Sequence, residues 1–136
     1  MKKPTTEDAK ILLMLFESND TPQMREAMNW ASSLHAVKSY QEFKSKFPEG
    51  SEGARHVGVI LGSFELAGVL VSHGLLNENL YFDMSGIEFM WPKFEKIVAG
   101  MRKEMGPALF ENAVWLAERQ KKWKRKVWKP DLAWKK

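Results

Sequence analysis

Apolar side chains recur at intervals of three and four along most of the chain, and the two-residue alternation of a half-buried strand is absent. The pattern therefore predicts helices, which glycine, proline and capping residues divide into about six pieces. Thr6 is placed to cap a first helix with Glu7 and Asp8 in its first turn and an apolar face of Ile11, Leu12, Leu15 and Phe16, and Ser18-Asn19-Asp20 ends it. Thr21-Pro22 is a second start, an N-cap followed by proline where its missing N–H costs nothing, and Met24, Ala27, Met28, Ala31 and Leu34 continue it. Ser39-Tyr40-Gln41-Glu42 has the form of a capping box for a short helix closed by Pro48. The most apolar stretch, 54–73, follows, with Gly74 at the left-handed position beyond its end. Asn77 is a cap for a turn through Tyr81 and Phe82. Residues 87–105 form another helix, with a kink or fresh start expected near Trp91 because Pro92 removes a backbone bond. After Gly106-Pro107, the stripe Leu109, Ala113, Leu116, Gln120, Trp123, Val127 keeps helical spacing to about Lys129, where Pro130 limits it.

These pieces predict an all-α, single-domain helical bundle of five to seven helices packed around a central apolar helix at about 54–73. A chain of 136 residues is enough for one core. The body is read as residues 1–118. Residues 119–136 are read as a basic, Trp-rich extension and tail of the same domain.

Charge divides the chain at that boundary. Residues 119–136 hold nine of the 21 Lys and Arg and one acid, Asp131, a charge of +8, whereas residues 1–118 carry twelve bases and sixteen acids, a charge of −4. With no cysteine, disulfides, thiol nucleophiles and thiolate metal sites are excluded, and a reducing compartment, the cytoplasm, is the default. Met1-Lys2-Lys3 resembles the start of a leader, but the apolar run behind it, Ile11–Phe16, is too short for one. The longest apolar window, Val57–Val71, falls short of the roughly 20 residues that cross a bilayer.

Catalytic chemistry finds little support. His35, His56 and His73 form no ligand spacing, and the last two lie at opposite ends of one helix, roughly 25 Å apart at ~1.5 Å per residue. Gly62-Ser63-Phe64 has no strand before it, and Gly50-Ser51-Glu52-Gly53 lacks the lysine of a phosphate loop. No cofactor, metal or catalytic residue is expected, and the chain reads as a non-enzyme. One face of the central helix is small or polar: Arg55, Gly58, Gly62, Glu65, Val69 and Ser72. Gly58 and Gly62 either let a neighbouring helix approach or clear room for a small molecule or a hydrolytic site anchored on Glu65. The structural reading pairs Glu65 with an arginine, Arg102 on the Pro92 helix being the choice. Tyr81-Phe82 and Phe89-Met90-Trp91 are read first as core filling and second as the lining of a small pocket.

The basic segment carries the preferred function, that of a binding or adaptor protein. Lys121, Lys122, Trp123, Lys124, Arg125, Lys126, Trp128 and Lys129 combine long-range attraction with indole contact area, suited to an anionic partner: an acidic protein surface, a nucleic acid or a membrane surface. The competing reading packs Trp123, Val127 and Trp128 against the body and leaves the lysines solvated. A homodimer joined through the last helix is the structural alternative.

The order Pro22-Gln23-Met24-Arg25, Phe64-Glu65-Leu66-Ala67, Gly74-Leu75-Leu76, Tyr81-Phe82, Trp91, Arg102, Phe110 and Trp115-Leu116 resembles a family of small helical bacterial proteins known as domain of unknown function 4760. The resemblance runs from about Glu7 to about Lys122. It implies an all-helical single domain in which Glu65 and Arg102 are typical polar positions, and it brings no catalytic residue. The Trp-rich segment beyond Lys122 departs from the pattern.

Overall fold

A computed structural model describes residues 3–34 and 37–123. Among the described residues seven helices form one all-α domain: α1 (Thr6–Asn19), α2 (Pro22–Ser32), α3 (Tyr40–Lys46), α4 (Glu52–Ser72), α5 (Glu78–Met84), α6 (Ile87–Met105) and α7 (Glu111–Lys122). No strand occurs among the described residues.

α4 is the hub. It packs most heavily on α7 and α2, while α3 leans on α6, α6 on α7, and α1 on α5. Val57, Ile60 and Leu61 of α4 are buried with Phe82, Phe94, Ile97 and Leu116 from α5, α6 and α7. At 21 residues, α4 is longer than its apolar window suggests, and by length and composition alone it is apolar enough to span a bilayer. Its apolar content is used here in packing, since eight of its residues are buried against neighbouring helices.

Capping fixes most of the boundaries. Thr5, one residue before the expected cap, opens α1: its hydroxyl accepts from the Asp8 N–H at 3.2 Å while the Asp8 carboxylate accepts from the Thr5 N–H at 2.8 Å. The other Asp8 oxygen accepts from the Asn77 N–H at 2.9 Å, tying the start of α1 to the cap of α5. Thr21, Ser39, Ser51 and Asn77 cap α2 to α5 in the same manner. At α3 the expected box is only half formed, because Glu42 reaches past Ser39 to accept from the Lys38 N–H at 2.9 Å. α4 ends where Gly74 takes φ +72°, and the N–H groups of Leu75 and Leu76 return to the Leu70 carbonyl at 2.9 and 3.0 Å.

Two helix boundaries differ from expectation. Of the kink or fresh start expected near Trp91, the fresh start does not occur: α6 runs from Ile87 to Met105 with Pro92 inside. Buried Ile87 and Trp91 before the proline and Phe94, Ile97 and Val98 after it hold both halves against the core, which outweighs one lost backbone bond. α7 begins at Glu111, three residues after Ala108, and ends at Lys122 instead of continuing to Lys129. Trp123 leaves it with ψ 134°, an extended conformation that turns its side chain onto α5.

Candidate docking groove and the anchored last helix

The Glu65–Arg102 pair does not form. Arg102 donates from Nε to the Pro107 carbonyl at 3.1 Å, closing the turn behind its own helix. Glu65 instead caps α7 from another element: Oε1 accepts the N–H groups of Asn112 and Ala113 at 3.0 and 2.9 Å, and Oε2 accepts the Asn112 side-chain amide at 2.7 Å. The reason lies at Phe110. It occupies the N-cap position with φ 52°, in the left-handed region, and its side chain offers no acceptor, so the first turn of α7 has unpaired donors and a positive dipole end. A carboxylate from α4 supplies what the cap residue lacks.

The glycine that permits this contact is also not the one expected. A Cβ on Gly58 or Gly62 would meet nothing within 4 Å, so neither clears space for a neighbour. Gly68 does: a Cβ there would overlap the Asn112 carbonyl. Gly68 and Glu65, one turn apart on α4, therefore seat the start of α7 together.

The far end of α7 is held equally firmly. Lys121 Nζ donates to Glu95 and Glu118, both at 3.0 Å. Trp123 Nε1 donates to Asn79 Oδ1 at 2.8 Å, and its ring lies 5.5 Å from that of Phe82. Arg119 grips Glu78 through two N–H groups at 2.6 and 2.8 Å, and that hydrogen-bonded guanidinium holds the Glu78 carboxyl below its ordinary pKa. Of the eight residues expected to meet a partner, Lys121 and Trp123 thus have partners in the body, and Lys122 lines a shallow cavity with Trp115, Glu118 and Arg119. Lys124, Arg125, Lys126, Trp128 and Lys129 lie outside the described residues.

Beside α5, the end of α1, the first half of α2, the middle of α4 and the turn into α6 enclose an apolar groove of about 390 Å³. Its walls include Phe16, Met28, Phe64, Met84, Phe89 and Met90, and no charged residue lines it among the described residues. Several of these side chains stand in solvent: Phe89 is 77% exposed and Met84 64%. Four of the eight methionines of the chain, Met24, Met28, Met84 and Met90, face this one space. Burial pushes the Tyr81 phenol in its wall up to about 12, so it stays a neutral hydrogen-bonding group. The sequence pairs Tyr81-Phe82 and Phe89-Met90-Trp91 split accordingly: Tyr81, Phe89 and Met90 line the groove, whereas Phe82 and Trp91 are core.

Glu65, Gly58 and Gly62 line neither the groove nor the two shallower cavities around the C-terminal end of α4. Among the described residues no three His, Asp or Glu side chains gather as metal ligands. His56 is buried against Trp30, ring centroids 5.5 Å apart, and His73 is the C-cap of α4. Sequence reading missed the groove as a unit because its walls come from five helices and from residues that each read as core. The only signal was the density of methionine and phenylalanine over residues 16–28 and 81–90.

The chain matches a family described as a domain of unknown function (DUF4760) over residues 4–123. No curated protein and no solved structure matches it.

Proposed function

The chain belongs to the family described as a domain of unknown function (DUF4760), and we propose that it is a non-enzymatic binding or adaptor protein of the cytoplasm whose basic C-terminal residues contact the acidic surface of a partner protein. The observation that carries this reading is the fixed root of the basic segment. Trp123 is pinned to Asn79 and Phe82, and Lys121 to Glu95 and Glu118. The thirteen residues beyond that anchor hold six bases and one acid, interrupted by Trp128 and Trp134. Six bases that follow a fixed point on a body of net charge −1, residues 1–123 with fifteen bases and sixteen acids, steer an acidic surface toward one end of the molecule.

We take the partner to be an acidic protein surface and make a nucleic acid and a phospholipid surface, which the same cations would attract, the alternatives that the test separates. The test uses the full chain and the variant Lys124→Gln, Arg125→Gln, Lys126→Gln, Lys129→Gln, with polyglutamate as probe. The native chain should bind polyglutamate and lose about tenfold in affinity between low and physiological salt, as screening of exposed charges requires. The variant should lose the binding. Equal binding by both chains would sink the proposal, and so would preference for single-stranded nucleic acid or anionic vesicles over polyglutamate.

A further inference from the structure

We infer that the apolar groove beside α5 is the resting site of the chain's own residues 124–136, so that the basic segment is held against the body until an acidic partner draws it off. This rests on the proposed role of that segment and adds its regulation.

Phe89 and Met84 hold large apolar surfaces in water at 77% and 64% exposure, beside half-buried Met90 and Phe64. Side chains of this kind gain when covered, and methionine walls adapt to whatever enters. A small polar molecule is a poor candidate because no charged side chain among the described residues lines the space to orient it.

The surroundings select the charge of the occupant. The stretches that build the walls, residues 15–28 and 81–90, carry Glu17, Asp20, Glu26, Asp83 and Glu88 against a single base, Arg25. Arg25 is itself paired with Asp20 at 2.6 Å, and Glu88 accepts from the Gln120 side-chain amide at 3.0 Å, a neutral partner that leaves its charge in place. An apolar trough whose wall-forming segments are acidic in sequence is complementary to an apolar sequence flanked by bases. Residues 124–136 have that composition: Val127, Trp128, Leu132 and Trp134 among six bases.

The geometry permits the connection. The anchor of Trp123 on Asn79 and Phe82 and the groove wall at Tyr81 and Met84 belong to the same seven-residue helix. An α-helix with its side chains is roughly 10–12 Å across. Five residues from Trp123 to Trp128 span up to about 17 Å extended, enough to pass around α5, and Trp134 has twice that reach. Trp123 already faces α5 when it leaves α7.

The experiment places a photoactivatable benzophenone amino acid at position 128 of the full chain, where it replaces one aromatic ring with another. Irradiation of dilute protein followed by peptide mapping should give intramolecular cross-links to Met84, Phe89 or Met90. The pair Met84→Gln, Phe89→Asn alters exposed positions and should cut the yield at least fivefold, while raising affinity for polyglutamate a few-fold by releasing the segment. Cross-links to the exposed Leu75 or Leu66, or a yield insensitive to the pair, overturn the inference. Cross-links between chains overturn it as well and assign the groove to a second copy. The readouts separate the two ideas: salt-dependent polyglutamate binding with no groove cross-link leaves the adaptor role standing and removes only the resting site.

Discussion

Replacing Glu65 by alanine tests the central structural claim, that one carboxylate on α4 does the work of the missing cap on α7. The side chain accepts three hydrogen bonds between 2.7 and 3.0 Å, two of them from main-chain donors of the first turn. Hydrogen bonds to a charged group contribute about 1.5–3 kcal/mol when one partner is lost, and an N-cap about 0.5–2 kcal/mol. These figures describe the same contacts and do not add. Glu65 is half-buried, so water replaces part of what is removed, while Phe110 offers no substitute acceptor. The expected loss is about 2 kcal/mol, and at about 4 °C per kcal/mol for a chain of this size the melting temperature should fall by about 8 °C. Urea unfolding followed by far-ultraviolet circular dichroism measures it. Glutamine at 65 should lose about half as much, since one carbonyl oxygen remains to accept. A double-mutant cycle with Arg102→Ala should show coupling below about 0.5 kcal/mol, because the two side chains share no partner. A loss under about 0.5 kcal/mol for Glu65→Ala, or coupling to Arg102 above about 1 kcal/mol, would refute the capping account.

Three further outcomes follow from the same contacts. Gly68→Ala should destabilise by about 3 kcal/mol, since the added methyl overlaps the Asn112 carbonyl, whereas Gly62→Ala, facing open space inside a helix, should stabilise by about 0.5–1 kcal/mol; chemical denaturation of both variants gives the contrast. Trp123→Phe should cost about 2 kcal/mol by the same measurement, because it leaves the carbonyl of Asn79, a residue 1% exposed whose amide nitrogen already lacks a partner, without its donor. Glu78 has its folded pKa depressed by hydrogen bonding to Arg119, so its contribution is present above the ordinary value of 4.5 and is lost as pH falls through the lower folded value. The urea midpoints of the native chain and Glu78→Gln should therefore differ at pH 7 and converge toward pH 3, and a gap that widens on acidification would contradict the ion pair.

Local signals were readable in the sequence. Thr21, Ser39 and Asn77 announced their helices because capping is a contact between neighbours, and Gly74 announced its own positive φ for the same reason. The all-α fold followed from them together with the 3.6-residue spacing. What depended on contacts between distant segments did not follow. Glu65 looked like half of an ion pair because spacing says which face a carboxylate occupies, not which helix end lies opposite it. Gly58, Gly62 and Gly68 are alike in composition, and only the position of α7 makes the third indispensable. The stripe through Trp123 and Val127 had correct helical periodicity, but the pull of Asn79 and Phe82 on Trp123 ended the helix earlier than Pro130 would have. The groove was legible only in fragments, as aromatic pairs whose members proved to face different ways.

The cap that α4 lends to α7 also orders events in time. A helix whose first-turn donors are met by a residue 47 positions upstream has little reason to form alone, and a twelve-residue segment is marginal in water in any case. As the chain leaves the ribosome, α1 to α6 emerge first with the Gly68 face of α4 still bare. α7 then forms on contact with that face and brings Trp123 to Asn79. Completion of the fold and the anchoring of Trp123 are thus one step, so that Trp123 reaches Asn79 only on a molecule whose core is already assembled.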